Sequence, residues 1–489
     1  MLVMYNPPSS ARRKPVMPLS LLALGALLEG RHEYTIVDGN LDRNALETID
    51  RHVRDGADIL GITVMPGPQL ADAVPMCREL KTRHPDLRII WGGYFPTQHW
   101  DVCLKSGYVD YVVRGHGEVT FQSLVDRLAA GEDPTDMAGL AYRRPDGMPF
   151  SNPTAPIPHP DSMPEFPYQR IDVRRYARKS FMGNRTLAHH SSYGCPFFCN
   201  FCAVVNMVGG RWLAQSAERT ANVARRLVTD YGADAVEFYD NNFFVHEART
   251  AEFAERILDL GIGWWGESRI DTLLRYSDRS WRLMRDSGLR MVFMGAESGS
   301  NETLKRMNKG GAASTEKTLA MAAKAREYGI VPEFSFVMGN PPDPEGDVRG
   351  TLEFIRKVKR VNPHTEIIMY VYTPVPLAGE LFDEAKAEGF AFPETLEQWI
   401  SDDWQDFAQR RSAQIPWLAD PIHRRLRDFE RVLSAYYPTI TNPDLRGMRR
   451  FVLRAASSWR YHLGFYSYPL ELRPLQRLLA YQRPETCGF

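Results

Sequence analysis

Residues 191–202 have the sequence Ser-Ser-Tyr-Gly-Cys-Pro-Phe-Phe-Cys-Asn-Phe-Cys and contain three of the six cysteines of the chain. Cys195, Cys199 and Cys202 follow a strand-like run over residues 185–190. The C-x-x-x-C-x-x-C spacing is typical of a metal-ligand loop, and thiolates are the usual ligands of iron–sulfur clusters. Because a four-iron cube normally takes four thiolates, a compact set of three leaves one iron open to an exogenous ligand.

Two other interpretations of the three cysteines stay open at this point. A zinc site would need a fourth ligand, which His189 or His190 could supply to complete a tetrahedron. The cysteines could also be buried thiols without a metal.

The spacing, the aromatic Phe201 before the third cysteine and the preceding strand resemble the radical S-adenosylmethionine (SAM) superfamily. This resemblance implies that Cys195, Cys199 and Cys202 are catalytic residues that hold a [4Fe–4S] cluster. It also implies that the open iron chelates the amino and carboxylate groups of SAM. An electron from the cluster would then cleave SAM to methionine and a 5′-deoxyadenosyl radical, which abstracts hydrogen from a substrate.

The chain has 489 residues, enough for two or three domains, and 60 basic side chains balance 60 acidic ones. This neutral balance gives no charge attraction to nucleic acid, so we expect a small-molecule partner and no nucleic acid. The apolar run over residues 19–28 is too short to be a transmembrane segment and lacks a signal-peptide cleavage pattern. We therefore expect a cytoplasmic protein, in which thiols stay reduced.

Residues 1–142 alternate short apolar runs with helical patterns, which predicts an α/β domain with a parallel, doubly wound, Rossmann-like sheet. Such sheets bind ligands beyond the carboxyl ends of their strands. No G-x-G-x-x-G motif follows the first strand, which disfavours a dinucleotide. The strands are predicted at residues 1–5, 34–37, 59–64, 87–91 and 108–113.

The order of these segments resembles a cobalamin-binding domain. Many such domains carry a cobalt-ligating histidine after the first strand, whereas this chain has Asn-Pro-Pro-Ser-Ser at residues 6–10, a departure shared by cobalamin-binding radical SAM enzymes. The alternative is a flavodoxin-like recognition domain that binds no cofactor. The predicted cobalamin contacts are Asn6, Pro7, Asp38, Thr63, Met65, Gly67, Gly92, Gly93, Gly115, Gly117 and Glu118.

A proline-rich linker is predicted over residues 143–184, after a hairpin near residues 139–150. Residues 185–390 then contain six β/α units, which predicts a partial (β/α)6 TIM barrel for the radical SAM domain. Its strands are predicted at residues 185–190, 235–239, 262–267, 291–294, 332–337 and 366–372.

Polar residues follow the predicted barrel strands, where active residues of such barrels lie. By resemblance, Glu297 and Ser298 match the SAM-contacting motif, and Asp240 and Asn242 match the position near the SAM amino group. Arg269 could meet the SAM carboxylate. Each residue alone could instead be a strand-end cap or a salt bridge. The complete predicted SAM set is Phe201, Asp240, Asn242, Glu267, Arg269, Glu297, Ser298 and Gly339.

Residues 391–489 lack the strand pattern and predict a helical C-terminal domain. Its aromatic residues form either a lid or substrate pocket, or a helix-packing core. They are Trp399, Trp404, Trp417, Trp459, Tyr436, Tyr437 and Tyr461.

Taken together, the sequence predicts a cobalamin-dependent radical SAM enzyme that methylates an unactivated carbon of a small-molecule substrate, and the aromatic C-terminal region favours a hydrophobic one. Its cofactors would be a [4Fe–4S] cluster, SAM and cobalamin, and methylcobalamin would donate the methyl group. An external low-potential electron donor is required. The alternatives are a non-methylating cobalamin radical SAM oxidative cyclase or rearrangement enzyme, and a non-catalytic iron–sulfur carrier or sensor.

Overall fold

A computed structural model describes residues 1–9, 15–309, 313–377, 379–408, 416–418, 420–442 and 445–479. The chain divides into two compact units. The first comprises Met1–Tyr176, Asn206–Gln215 and Ala391–Ser412. The second comprises Ala177–Val205, Ser216–Phe390 and Ala413–Phe489. The domain boundaries expected from the sequence stay a prediction.

The N-terminal part of the first unit alternates strands with helices, as the sequence predicts. Its elements are β1 (Leu2–Asn6), α1 (Leu19–Leu28), β2 (Tyr34–Asp38), α2 (Ala45–Arg54), β3 (Ile59–Thr63), α3 (Pro68–Arg83), β4 (Arg88–Gly92), α4 (Tyr94–Gln98), α5 (Trp100–Lys105), β5 (Tyr111–Val113), α6 (Glu118–Ala130), β6 (Leu140–Arg143) and β7 (Pro149–Ser151).

These strands form one sheet in the order β2-β1-β3-β4-β5-β6-β7. The pairs from β2 to β5 are parallel, and the hairpin of β6 and β7 adds two antiparallel strands. The chain proceeds outward in both directions from β1 and β3, so the switch point of the sheet lies between them. A ligand of a doubly wound sheet is expected at the carboxyl ends of these two strands.

The middle of the chain forms the second set of strands and helices. Its elements are β8 (Thr186–His189), β9 (Ser192–Gly194), α7 (Val204–Val208), β10 (Trp212–Ala214), α8 (Ala217–Tyr231), β11 (Ala235–Phe238), α9 (Glu247–Arg256), β12 (Gly263–Ser268), α10 (Ile270–Leu273), α11 (Asp278–Asp286), β13 (Leu289–Glu297), α12 (Asn301–Arg306), α13 (Thr315–Tyr328), β14 (Val331–Met338), α14 (Pro344–Val361), β15 (Glu366–Val371) and α15 (Glu380–Ala387).

Six of these strands form a parallel sheet in the order β8-β11-β12-β13-β14-β15, with β8 and β15 at its two edges. The strands follow chain order and alternate with helices, so the predicted partial (β/α)6 barrel is confirmed. The carboxyl ends of the six strands therefore lie along the same edge of the sheet.

The sequence also sets the ends of the barrel helices. Ser216 accepts a hydrogen bond from the backbone amide of Arg219 at the start of α8, and Ser314 caps α13 in the same way. Gly232 and Gly329 end these two helices with φ near +70° (72° and 69°), a conformation that favours glycine.

The C-terminal region is helical, as predicted. Its elements are α16 (Leu396–Trp399), α17 (Asp402–Ala408), α18 (Asp420–Tyr436), α19 (Met448–Leu463) and α20 (Leu472–Leu478). Trp399 packs edge-on against Phe95 at 4.9 Å and belongs to the core of the first unit. Tyr436 stacks on Tyr461 at 4.4 Å in the second unit. Both contacts are helix-packing core, one of the two roles expected for the aromatic residues.

Within the residues that the structure describes, no helix is both long and apolar enough to cross a membrane.

Candidate active site

The cysteine loop begins where β8 ends and is held there by a buried carboxylate. Asp240, at the end of β11, accepts hydrogen bonds from the backbone amide (3.0 Å) and the hydroxyl (2.8 Å) of Ser191. Arg249 donates to the same hydroxyl at 2.8 Å. Both oxygens of Asp240 are therefore engaged in fixing the first turn of the loop.

The far side of the loop is held by the end of α12. Asn200 donates from its side chain to the carbonyl of Arg306 at 2.7 Å, and from its backbone amide to Met307 at 3.2 Å. Asn308 donates to the carbonyl of Phe198 at 2.9 Å. Asn308 has φ of +50°, which asparagine tolerates better than most residues. The sequence analysis did not identify this second support.

Two side chains donate hydrogen bonds to the cysteine sulfurs. Nδ2 of Asn242 lies 3.8 Å from the Cys195 sulfur, and Nη1 of Arg269 lies 3.4 Å from the Cys199 sulfur. Burial raises the pKa of all three thiols, that of Cys202 to about 12, while the charge of Lys309 acts in the opposite direction at Cys199. Three thiols, two of which accept an N–H donor, lie beside two buried cations and fit a cluster, because the cations and the N–H···S bonds stabilise thiolate charge.

The zinc alternative loses its expected ligands. The ring of His189 packs edge-on to Phe238 with centroids 6.3 Å apart, and that of His190 packs against Tyr193 at 5.7 Å. No group of three or more His, Cys, Asp or Glu side chains within the described ranges could hold a single metal ion. Cysteines of an iron–sulfur cube bind separate irons, so they need not converge on one point as zinc ligands do.

Arg269 connects the cysteine loop to the end of β12. Its guanidinium binds both oxygens of Asp271, at 3.0 and 3.3 Å, and donates to the carbonyl of Lys309 at 2.5 Å. It also stacks over the ring of Phe197 at 3.8 Å. Arg269 and Asp271 are both buried, so this is an ion pair shielded from water.

Glu267, two residues earlier, is different because its side chain is only partly buried. Its carboxyl makes no hydrogen bond within the described ranges, although its backbone carbonyl accepts from the amide of Phe243 at 2.9 Å. Removal from water, with a smaller contribution from the charge of Asp240, raises the pKa of Glu267 to about 8. Phe293 on β13 and Tyr370 on β15 are also partly exposed at inward-facing positions, so the lumen of the barrel is open at this level.

The ends of β13 and β14 are tied to each other by Asp347 at the start of α14. Its carboxylate accepts from Ser298 Oγ at 3.2 Å, from the Gly339 amide at 2.9 Å, and from both nitrogens of Asn340 at 3.2 and 3.0 Å. Ser298 and Gly339, both predicted SAM contacts, are thus brought together. Glu297 instead pairs with buried Lys309 at 2.8 Å.

The C-terminal region contacts this edge of the barrel through Trp417 and Leu418. Trp417 donates from its indole to the carbonyl of Gly339 at 3.0 Å and packs against Tyr372 at 5.9 Å. Leu418 lies so close that a Cβ on Gly339 would be 2.9 Å from its Cδ1. Trp417 is buried, whereas Trp459 is exposed on α19. Trp417 is therefore a predicted aromatic residue that reaches a barrel strand end.

The predicted cobalamin residues lie at the carboxyl edge of the first sheet. Asn6 donates to Asp38 at 3.0 Å, and Tyr176 donates to the same carboxylate at 2.7 Å. Gln69 donates to Asn6 Oδ1 at 3.1 Å and to the carbonyl of Pro7 at 2.9 Å. Side chains of Asn6 and Asp38 are buried in this network, so they order the loop after β1.

The loops after β3 and β4 carry glycines and an exposed apolar residue at the carboxyl edge of the sheet. Gly93 has φ of +98°, and a Cβ there would lie 3.1 Å from Thr63 Oγ1 and 3.2 Å from the amide of Val64. Gly67, with φ of +84°, has open space around it, and Met65 is exposed. An open strand edge at the switch point fits a large flat ligand such as a corrin ring.

The remaining predicted residues of this edge lie beyond β4 and β5. The amide of Gly115 donates to Thr97 Oγ1 at 3.0 Å, and a Cβ on Gly117 would lie 3.0 Å from a methyl group of Val113. Glu118 is buried in the first turn of α6. Gly92 is the last residue of β4.

Phe201 belongs to the predicted SAM contacts and is partly exposed next to Cys202.

Comparisons with known proteins agree with these two sites. The model of the radical SAM superfamily matches residues 190–355, and that of the B12 binding domain matches residues 11–125. An uncharacterized methyltransferase of Pyrococcus horikoshii is 27% identical over 367 residues, which cover 73% of this chain and 78% of that protein. The anaerobic magnesium-protoporphyrin IX monomethyl ester cyclase of Synechocystis is 28% identical over 332 residues, 65% of this chain and 64% of the cyclase.

A solved structure is similar over nearly the whole chain. The radical SAM methyltransferase TsrM of Kitasatospora setae, with cobalamin and a [4Fe–4S] cluster bound, superposes with a TM-score of 0.68 at 15% identity and covers 98% of both chains. This likeness supports the fold.

The two matched models and the two sites define a radical SAM domain preceded by a B12-binding domain. The chain thus combines the two domains expected of a cobalamin-dependent radical SAM enzyme, and the resemblance seen in the sequence is confirmed.

Several residues of the site were not predicted from the sequence. Asp271, Lys309, Asp347 and Gln69 each bind a predicted residue through a side chain. Asp347 lies in the first turn of α14, directly after the loop that follows β14. An acidic residue at the start of a helix is a local pattern from which a role at this strand end could have been predicted. Lys309 had no such signal, because its partner Glu297 lies on a different element.

Proposed function

We propose that the protein methylates an unactivated carbon of a small molecule. The observation that carries the proposal is the three-thiol loop with its N–H···S donors, in a chain that also matches a B12 binding domain. When bound, the cluster and SAM supply hydrogen-atom abstraction, and cobalamin supplies a methyl group.

The residues of the chain would hold and orient these groups. Cys195, Cys199 and Cys202 would bind the cluster, while Asn242 and Arg269 would hold two of the sulfurs in place. Arg269 and Asp240, whose polar atoms are engaged by the protein, would act as positioning residues for the loop.

Glu267, Glu297, Ser298 and Gly339 would lie beside SAM on the open side of the barrel. Glu267 is suited to an ammonium group, because its carboxyl faces the lumen without a protein partner among the described residues. Binding of a cation would lower its raised pKa and hold it ionised. The chain of contacts Ser298–Asp347–Gly339 would fix the backbone against which a flat group can lie.

The cobalamin contacts proposed are those of the first sheet edge, from the loop after β1 to the start of α6. Gly67 and Gly93 would let the macrocycle approach the backbone, and Met65 would offer an apolar contact. Residues 6–10 contain no histidine, so cobalt would receive no imidazole from that loop.

The substrate would be a small molecule with an apolar part. Inward-facing positions of the barrel that stay partly exposed include Phe293, Val337, Ile368 and Tyr370. These apolar side chains would contact a hydrophobic part of the substrate. The electron would come from an external low-potential donor, and a reducing, cytoplasmic compartment would suit the thiol ligands.

The test is anaerobic reconstitution with iron, sulfide and hydroxocobalamin, followed by reduction in the presence of SAM. We expect retained cobalamin and formation of both 5′-deoxyadenosine and S-adenosylhomocysteine. Cys199→Ala should abolish 5′-deoxyadenosine, whereas Cys103→Ala, which removes a buried thiol of the first unit, should not. Neither nucleoside from a protein with an assembled cluster would refute catalysis and favour an iron–sulfur carrier.

A second candidate function is an oxidative cyclisation or rearrangement that also uses both cofactors. The observation that favours it is the 28% identity to the magnesium-protoporphyrin cyclase. The two functions differ in their products. Methyl transfer forms S-adenosylhomocysteine and increases the mass of the substrate by one CH₂ group, about 14 Da, whereas cyclisation does neither. 5′-Deoxyadenosine without S-adenosylhomocysteine would therefore select the second function.

A further inference from the structure

Helix α19 has two different faces. One face carries Leu453, Ser457 and Tyr461, which are buried, and Tyr461 stacks on Tyr436 of α18. The opposite face is apolar but exposed to solvent. Its large residues, which we call the α19 stripe, recur at helical spacing: Met448, Phe451, Val452, Trp459 and Leu463.

The α19 stripe is not a set of scattered apolar residues. Phe451 is 67% exposed and Leu463 is 77% exposed, although they lie more than three turns apart on the same face. Further exposed apolar residues follow the helix in the sequence, and the first of them, Phe465, stacks on Trp459 with centroids 5.9 Å apart. The others are Tyr468, Leu470 and Leu478. A cluster of exposed apolar residues marks an interaction site more often than an ordinary surface does.

The same segment is strongly basic. Residues 445–479 contain seven arginines and one acidic residue, Glu471, which gives a net charge of six positive charges (seven minus one). Glu471 is bound to the side chain of Arg460 at 3.0 Å. The exposed arginines of the segment are Arg446, Arg449, Arg454, Arg473 and Arg477.

We infer that α19 and α20 bind the surface of an anionic lipid bilayer. A helix with an exposed apolar face and flanking arginines lies in the plane of a membrane interface, with the apolar side chains at the level of the acyl chains. Trp459 and Tyr468 are of the residue types that concentrate at this level. The arginines then lie near the negatively charged head groups.

A second copy of the chain is the less suitable occupant. A twofold dimer brings the same surface of each copy together, so each basic segment would face the other. With six net positive charges on each side, this contact would be opposed by like-charge repulsion. An anionic membrane provides both the apolar layer and the opposite charge.

The experiment is co-sedimentation of the full-length, cluster-reconstituted protein with vesicles. We expect binding to vesicles that contain phosphatidylglycerol, weaker binding at high salt, and little binding to pure phosphatidylcholine. Arg473→Gln/Arg477→Gln should weaken binding roughly fivefold for each arginine removed. Phe451→Asp/Leu463→Asp should weaken it by about tenfold or more.

The matched control is Met148→Asp, which makes the same change at a residue 61% exposed on the hairpin of β6 and β7. It should bind vesicles as the wild type does. Circular dichroism checks that the variants fold, and the arginine variant carries the test if the aspartate variant does not. Equal binding to neutral and anionic vesicles, or no binding to either, would overturn the inference. A dimer that Phe451→Asp/Leu463→Asp dissociates, without vesicle binding, would assign the α19 stripe to a second copy.

Discussion

Replacement of Arg269 by glutamine tests how the barrel supports the cysteine loop. The substitution removes the two bonds to Asp271, the bond to the carbonyl of Lys309 and the donor to the Cys199 sulfur. It also removes the stacking on Phe197.

The magnitude follows from the burial of Asp271. That carboxylate is 6% exposed, and without Arg269 its charge would be buried without its cation. Breaking a buried pair in this way costs about 3–5 kcal/mol. For a unit of this size, each kcal/mol lowers the melting temperature by about 2–4 °C, so we expect a fall of roughly 6–20 °C. Arg269→Gln/Asp271→Asn removes both charges and should recover most of this loss.

The assay is anaerobic thermal unfolding of the cluster-free protein, which isolates contacts within the chain. In the reconstituted protein, the reduction potential of the cluster gives a second measurement. Arg269→Gln should lower the potential, because a positive charge and an N–H···S donor both favour the reduced cluster. The double variant restores the net charge but not the donor, so its potential should stay below that of the wild type. A double variant as unstable as the single one would refute the role of the ion pair, and a double variant with the wild-type potential would refute the role of the donor.

Three further predictions address other parts of the two units. The pKa of Glu267 is raised from 4.5 to about 8, so between these two pH values the folded state holds a proton that the unfolded state has lost. The melting temperature of the wild type should therefore fall as the pH rises from 5 to 8. The fall should be smaller in Glu267→Gln, measured beside the wild type at each pH. Gly93→Ala should lower the free energy of unfolding in urea by about 2–3 kcal/mol, and Gly67→Ala by only about 1 kcal/mol. Both residues have positive φ, but of the two only Gly93 lies against backbone atoms. Equal losses would show that the backbone conformation alone sets the cost of adding the methyl group. Trp417→Phe should cost about 1 kcal/mol and Trp417→Ala about 3–5 kcal/mol, and if the phenylalanine variant also raises the KM for SAM, the indole bond to Gly339 positions the SAM site.

Much of the fold could be predicted because its signals are local. Strands β2 and β3 are found within one residue of the runs that predict them, residues 34–37 and 59–64. The six barrel strands follow apolar runs bounded by glycine or polar residues, and their bounds differ from the prediction by a few residues. Local patterns of this kind need no knowledge of distant contacts.

Other elements escaped prediction for physical reasons. Helix α2 was not predicted, although Leu46, Ile49 and Val53 have the spacing of one helical face. Trp399 was expected in a separate C-terminal domain or lid, but it packs on Phe95, about 300 residues earlier in the chain. No local pattern can reveal which distant surface an aromatic side chain will cover.

The candidate site shows the same limit at the level of single atoms. Asp240, Arg269 and Ser298 were selected correctly as polar residues at strand ends, yet their polar atoms bind Ser191, Asp271 and Asp347. A ligand at these side chains would share or displace the protein contact that each of them already makes.

Glu267 differs from these three residues. Its carboxyl is removed from water and has no hydrogen-bond partner among the residues that the structure describes. A raised pKa means that this carboxyl is stabilised by any cation that enters the barrel. Among the described strand-end residues, Asp240 and Arg269 therefore hold the cysteine loop, whereas the Glu267 carboxyl has no protein partner and is suited to a ligand. This difference depends on partners from distant elements, and the sequence motif alone does not contain it.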